Sequence, residues 1–157
     1  MSVGNQEKIL HKGNKSDPQE LDPHIVQGVP EHHIIQTLLE NLVTEDPKDL
    51  RPVPGQAERW DISPDGTVYT FHLRAGIRWS NGDPVTAHDF VRSYRRALTP
   101  SLGSEYAYMY YVMKGAEDYF KGKTRDFSTV GAKALDDRTL QITLNGQVTY
   151  FLSLINH

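Results

Sequence analysis

Histidines are the side chains of this sequence best suited to bind a metal ion or to transfer protons, and the chain has seven of them. Their spacing, however, does not build a site. His32 and His33 are adjacent, and adjacent side chains on a helix point about 100° apart, so the two cannot easily share one ion. His88 and Asp89 form another adjacent pair of the same kind. We therefore expect no metal site.

The motifs of several common enzyme classes are also missing from the sequence. We find no nucleophile elbow, no P-loop and no glycine-rich dinucleotide-binding turn. The chain has no cysteine, which removes disulfides, thiolate metal sites and cysteine nucleophiles from consideration. The sequence therefore predicts a protein that is not an enzyme and that carries no cofactor.

Four tyrosines close together form the chemically richest local feature: Tyr106, Tyr108, Tyr110 and Tyr111. We expect a helix from Glu105 to Lys114, on which Tyr108 and Tyr111 share one face and pack in the core. A tyrosine is also suited to ligand contact, because its ring is apolar and its hydroxyl bonds polar groups. Core packing is the simpler interpretation for most of the cluster.

Length and composition limit the possible functions. A chain of 157 residues can form one sizeable domain, or one domain and part of another. The hydrophobic content of 38% and charged content of 24% are typical of a moderately polar globular protein. The net charge of −3 argues against non-specific binding to nucleic acid. No apolar run approaches the roughly 20 residues that span a bilayer.

The region from residue 67 to residue 98 predicts a strand, a turn and a helix. Side chains from 67 to 74 alternate in the period-two pattern of a half-buried strand. Asn81-Gly82 is a strong turn signal, because both residues tolerate positive φ. Thr86 offers an N-cap hydroxyl, and Asp89 completes a capping-box-like start for a helix over 87–98.

A helix is also expected near the beginning of the chain. It begins at Pro30, and Asp46-Pro47 is the predicted stop. Its apolar residues recur at helical spacing and give one apolar face. These residues are Ile34, Ile35, Leu38, Leu39 and Leu42. Near the other end, Asp136-Asp137 predicts the turn of a hairpin.

Four blocks of the sequence look like parts of one family signature. They are LDPHIVQGVPEHHIIQTLLENLV at 21–43, VPGQAERW at 53–60, TFHLRAGIRWSNGDPVTAHDFV at 70–91 and KALDDRTLQITL at 133–144. In this order and spacing they resemble the extracellular solute-binding proteins, family 5, that deliver peptides to ABC importers. The oligopeptide-binding members of Gram-negative periplasms look closest. The resemblance covers about residues 8–155.

The resemblance implies an α+β fold, with mixed sheets, hairpins and packed helices. It would be part of a two-lobed periplasmic-binding-protein-like architecture (type II) with an extra inserted domain. We expect a disordered tail at 1–7, the first strand–helix unit of the main lobe at 8–43 and the small inserted domain at 44–157. The chain would then be a fragment. Truncation could expose Leu152, Leu154 and Ile155 and cause self-association.

The function implied by the resemblance is non-catalytic binding of short peptides, with ABC permease subunits as further partners. Export to the periplasm follows, although the N-terminal MSVGNQEK lacks the features of a signal peptide. A cytosolic protein would lack them too. Relatives of the same fold that bind dipeptides, cell-wall peptides, nickel chelates or haem stay open as alternatives, as does a module with no transport role.

The same resemblance implies four peptide-binding residues: Gln27, Gly28, Val29 and Tyr106. In the family, the extended segment at Gln27–Val29 pairs with the main chain of the peptide like an added strand. Gly28 would allow close backbone approach. The closest relatives carry a glutamate where this chain has Gln27, which puts a charge-based contact in doubt. The alternative is a plain turn before a helix. Tyr106 stands where the family carries a peptide-contacting tyrosine.

Overall fold

The structure, a computed structural model, describes residues 13–14 and 16–156. The predicted tail at 1–7 and the beginning of the predicted strand–helix unit, residues 8–12, lie outside this range. The chain forms two compact units, Met1–Leu39 and Glu40–His157. The predicted domain division between residues 43 and 44 stays a prediction.

The first unit contains helix α1, Val29–Leu38. Its beginning agrees with the prediction, because Pro30 stands in the first turn, where its missing N–H costs nothing. Its predicted end is wrong. Leu39 already has extended backbone (φ −116°, ψ 142°), and Leu42 lies outside the helix, in the core of the second unit. A short apolar run has the same appearance in a helix and in a buried extended segment, so periodicity alone did not separate them.

The second unit is built on antiparallel sheets. A two-stranded ribbon pairs β1 (Val43–Glu45) with β2 (Pro52–Pro54). A four-stranded sheet has the order β3-β4-β6-β5. Its strands are β3 (Ala57–Ile62), β4 (Val68–Leu73), β5 (Ala132–Asp136) and β6 (Thr139–Thr143). The hairpin predicted at Asp136-Asp137 is therefore confirmed as the connection from β5 to β6.

The alternation predicted for β4 is confirmed. Tyr69, Phe71 and Leu73 are buried, whereas the residues between them are half-buried on the other face of the sheet. Phe71 is fully buried, and its ring centroid lies 6.3 Å from that of Tyr69 and 6.4 Å from that of Trp60. This inward row forms the middle of the core.

Both outer strands of the four-stranded sheet are irregular. The register of β3 against β4 shifts between Ala57 and Arg59, and that of β5 against β6 shifts between Ala134 and Asp136. Charged side chains accompany these irregularities, with Glu58 exposed on β3 and Lys133 on β5 in pairing register with Gln141 of β6. The edges of the sheet thus differ from its regular centre.

Three α-helices and three 3₁₀ segments complete the described part of the second unit. The α-helices are α2 (Ala87–Ala97), α3 (Ala116–Phe120) and α4 (Phe151–Leu154). The 3₁₀ segments are Pro100–Leu102, Glu105–Val112 and Phe127–Thr129. The predicted turn is confirmed by Gly82 at φ 94°, and the predicted cap by the Thr86 N–H, which donates to Asp89 Oδ2 at 2.8 Å.

The segment at 152–155 is covered more than expected. Leu152, Leu154 and Ile155 are half-buried, and Leu152 and Ile155 pack against the core. They lie around the buried Phe151, whose ring centroid is 4.7 Å from that of Tyr69. The α4 segment therefore contributes to the core of its unit.

We expect Phe71→Ala to lower the free energy of unfolding of the second unit by about 3–5 kcal/mol, because it leaves a cavity in the middle of the core. Leu135→Ala is the matched control in the same sheet, since Leu135 is 54% exposed. The control should change stability by less than about 1 kcal/mol. Chemical denaturation of the two variants checks this, and equal losses would contradict the assigned core.

Candidate functional site

Gln27 and Gly28 lead into α1, whose first residue is Val29. The extended form predicted for Gln27–Val29 therefore does not include Val29. Gly28 is the N-cap residue, with φ −81° and ψ 148°, and its carbonyl accepts a hydrogen bond from the His32 N–H at 3.0 Å. Within the described part of the chain, the N–H groups of Gln27, Gly28 and Val29 have no hydrogen-bond acceptor. Gln27 and Val29 are exposed. Backbone groups in this state can pair with another extended chain.

A tight turn holds the chain just before this segment. The Asp22 carbonyl accepts from the N–H groups of Ile25 at 3.2 Å and Val26 at 3.1 Å. The Asp22 carboxylate accepts from the His24 N–H at 3.0 Å, and its Oδ1 lies 3.9 Å from His24 Nδ1. Such an aspartate-based turn fixes the direction in which the chain leaves it. The carbonyl and the carboxylate of Asp22 therefore fix the turn that precedes residue 27.

Glu31 stands in the first turn of α1, with its carboxylate against Gly28, and the residue is only 6% exposed. Its Oε1 accepts the Gln19 N–H at 2.9 Å. This bond, and a second one from the N–H of Glu31 itself, lower the pKa of the carboxyl. The sequence alone did not single out Glu31. The signal that could have found it is its place three residues after the N-cap, where a glutamate turns back towards the cap.

A cavity of about 640 Å³ opens beside these residues in the first unit. Gln27, Gly28, Gln19 and Glu31 line it, together with other residues of the same unit. Its volume lies in the range of sites that hold small ligands, roughly 300–1,000 Å³. Gln27, Gly28 and Val29 are three of the four predicted site residues, and the first two of them line this cavity.

Tyr106, the fourth predicted residue, lies in the second unit on the 3₁₀ segment Glu105–Val112. Its side chain is 37% exposed, and its ring centroid is 6.2 Å from that of Tyr108, which is 60% exposed. The core position predicted for Tyr108 is therefore wrong. A 3₁₀ helix has three residues per turn, so Ala107 and Tyr110 form the inward row and Tyr108 points to solvent.

The other tyrosines of the cluster do pack inside the second unit. The ring centroid of Tyr110 is 5.6 Å from that of the buried Tyr94, and that of Tyr111 is 5.8 Å from that of Phe120. Burial raises the pKa of both Tyr94 and Tyr110. The cluster is thus divided, with an exposed pair at Tyr106 and Tyr108 and a packed pair behind it.

The histidines do not assemble a metal site in the part of the chain that the structure describes. No group of three or more histidine and acidic side chains there could hold an ion. His72 Nε2 instead lies 2.8 Å from Asp61 Oδ2, and His88 Nε2 lies 3.6 Å from Asp137 Oδ1. Among the helices of the described residues, none is long and apolar enough to cross a membrane.

Comparison with known proteins identifies the family. The family model for bacterial extracellular solute-binding proteins, family 5 (middle), matches residues 51–157. The chain belongs to this family. The resemblance seen in the sequence is therefore confirmed.

Similar full-length proteins are much longer than this chain. The periplasmic oligopeptide-binding protein OppA of Escherichia coli (strain K12) is 44% identical over 154 residues, which are 97% of this chain and 28% of that protein. The dipeptide-binding protein DppE of Bacillus subtilis (strain 168) is 38% identical over 151 residues, 96% of this chain and 27% of that protein. The chain thus spans a little over a quarter of the relatives it matches.

A solved structure has the same fold. The crystal structure of Haemophilus influenzae OppA in complex with RPPGFSPFR superposes with a TM-score of 0.85 at 42% identity. The match covers 92% of this chain and 28% of that one. The predicted α+β fold of a periplasmic binding protein is therefore confirmed.

We expect Tyr106→Ala to change the free energy of unfolding of the second unit by about 1 kcal/mol or less, because its ring is partly exposed. Tyr94→Ala is the matched comparison, and it should cost about 3–5 kcal/mol because that ring is buried. Thermal or chemical unfolding measures both. A large loss with Tyr106→Ala would mean that this tyrosine supports the core and is not presented for contact.

Proposed function

We propose that the chain is part of the substrate-binding component of an ABC peptide importer and that it binds short peptides. The observation that carries this proposal is the segment Gln27–Val29. Its backbone N–H groups have no acceptor among the described residues, and Gln27 and Gly28 line a cavity. Membership of the solute-binding family and similarity to oligopeptide-binding proteins support it.

Main-chain pairing explains how such a site accepts peptides of different sequence. Every peptide offers the same N–H and C=O groups at the same spacing, so an added strand gives affinity with little side-chain selection. Gln27 carries no charge, so its contribution would come from its backbone. Tyr106 would add an apolar ring and a hydroxyl, which contact side chains and backbone respectively.

Binding would not be followed by a chemical step. The family and the relatives are solute-binding proteins, and we propose the same non-catalytic capture here, with no cofactor. The relative in Escherichia coli is named as periplasmic, and we propose that this protein is exported to the same compartment. ABC permease subunits would be its partners, and self-association of the chain stays a prediction.

Dipeptides are the second candidate ligand. The similarity to a dipeptide-binding protein, at 38% identity, favours them. A site based on backbone pairing at Gln27–Val29 would hold the first residues of either ligand in the same way, so the length of the bound peptide is the property that separates the two. Cell-wall peptides, nickel chelates, haem and a non-transport role remain predictions from the sequence.

Val29→Pro tests the backbone donor directly. Proline is accepted at the first position of a helix, so this change removes one N–H without breaking α1. Loss of one hydrogen bond of about 1 kcal/mol should weaken peptide binding roughly fivefold. NMR titration of the labelled chain with tripeptides and dipeptides measures it, since we expect a dissociation constant of about 1 mM or weaker for a partial cleft.

Val29→Ala is the control, because it shortens the side chain and keeps the N–H. It should bind the tripeptide nearly as the unmodified chain does. Equal affinities of the proline and alanine variants would exclude this donor from the site. Titration in which no amide of residues 27–29 shifts with any peptide would reject peptide binding by this segment.

A further inference from the structure

We infer that Glu31 is a positioning residue, whose carboxylate occupies the space left by the missing side chain of Gly28 and holds Gly28 in its extended form at the start of α1. The part of this inference that concerns ligand affinity rests on the proposed peptide-binding function. The contact itself does not, and it is tested without any ligand.

The first observation concerns space. A Cβ atom placed on Gly28 would overlap Glu31 Oε2 and would come within 2.8 Å of the carboxyl carbon. Both distances are shorter than real Cβ contacts, so no larger residue can stand at position 28 while Glu31 keeps its place. Because the overlapping atoms are the end of a flexible side chain, a larger residue at position 28 would displace the Glu31 carboxylate, and glycine leaves room for it. The backbone angle φ of −81° at Gly28 is available to every residue and does not demand glycine.

The second observation concerns burial. The residue Glu31 is 6% exposed, and a charge drawn away from water is costly unless it is hydrogen-bonded. The Gln19 N–H supplies such a bond at 2.9 Å. The carboxylate also lies in the first turn of α1, where the helix dipole favours a negative charge. Glu31 is thus stabilised as an anion at this place.

These contacts join two parts of the first unit. One carboxylate oxygen binds the chain at residue 19, and the other lies against the chain at residue 28. The Asp22 turn lies between these points, so Glu31 closes the loop that delivers residues 27–29 to the helix. Removing the carboxylate would release both ends of that loop, and Gly28 would be held less firmly in its extended form.

A double-mutant cycle tests the contact. The readout is hydrogen exchange of the His32 amide, which bonds the Gly28 carbonyl at 3.0 Å. When Glu31 is present, Gly28→Ala should displace its carboxylate and so free this part of the chain, which we expect to speed the exchange several-fold or more. In the Glu31→Ala background, the same alanine should change the rate by less than about twofold. Equal acceleration in both backgrounds would overturn the inference.

Gly146→Ala is the control for the glycine substitution. An added Cβ there meets nothing within 4 Å, so the His32 amide should exchange at the unmodified rate. Should the double variant fail to fold, the Gln19 amide gives a second readout in the single variants. Its exchange should rise at least tenfold in Glu31→Gln, because a neutral amide is a weaker acceptor than a carboxylate, and unchanged exchange would contradict the bond.

The pH dependence supplies a readout that a purely steric role would not change. The pKa of Glu31 is lowered, so its bond to Gln19 is present above the usual pKa of a glutamate and is lost as the pH falls through the lower folded value. The Gln19 amide shift should follow this titration. Asp17 and Glu20 also line the cavity, and His32 and His33 follow Glu31 in the helix.

Glu20→Gln is the control for the neighbouring charge. It should leave the pH dependence of the Gln19 amide shift unchanged, whereas Glu31→Gln should abolish that pH dependence. A Gln19 shift that still titrates in Glu31→Gln would contradict the assignment. None of these measurements contains a peptide, so their outcome is independent of the Val29→Pro titration. If both proposals hold, Glu31→Ala should also weaken peptide binding several-fold.

Discussion

The second unit depends on the packing of one strand. β4 is bonded on both sides, to β3 and to β6, and its inward side chains fill the middle of the core. The helix α4 reaches this row through Phe151, and α2 packs on the neighbouring strands β5 and β6. The alternation along these six residues therefore decides which face of the sheet is covered. A shift of one residue in the register of β4 would turn its apolar side chains to solvent and its polar ones to the core.

The exposed tyrosines are a consequence of the same packing. The segment that carries them is a 3₁₀ helix, in which Ala107 is buried, and Met113, which follows it, is buried too. Tyr106 and Tyr108 are then displaced towards solvent on a firmly anchored segment. A binding surface on such a segment loses little conformational entropy when a ligand arrives.

The sequence predicted the elements with strong local signals. The β4 alternation, the Asn81-Gly82 turn and the Thr86 cap are each encoded within a few residues, and each is confirmed. The end of α1 and the orientation of Tyr108 were wrong, because both depend on competition between local pattern and distant packing.

Glu31 was missed for a related reason. Its partner, Gln19, is twelve residues away, and the steric reason for Gly28 is visible only in three dimensions. The cap position of a glutamate was a local clue, but it did not reveal burial. The predicted peptide contacts came from family resemblance, and the residues that hold those contacts in place have to be found in the fold.

The irregular outer strands have a consequence for the behaviour of the protein at high concentration. An unpaired strand edge is a template on which another molecule can add its own strand. In β3 and β5, the register shifts interrupt the regular row of backbone groups, and Glu58 and Lys133 place charges along it. A second molecule would have to bury those charges to continue the sheet. These features disfavour the strand-by-strand addition from which ordered, fibre-like aggregates grow.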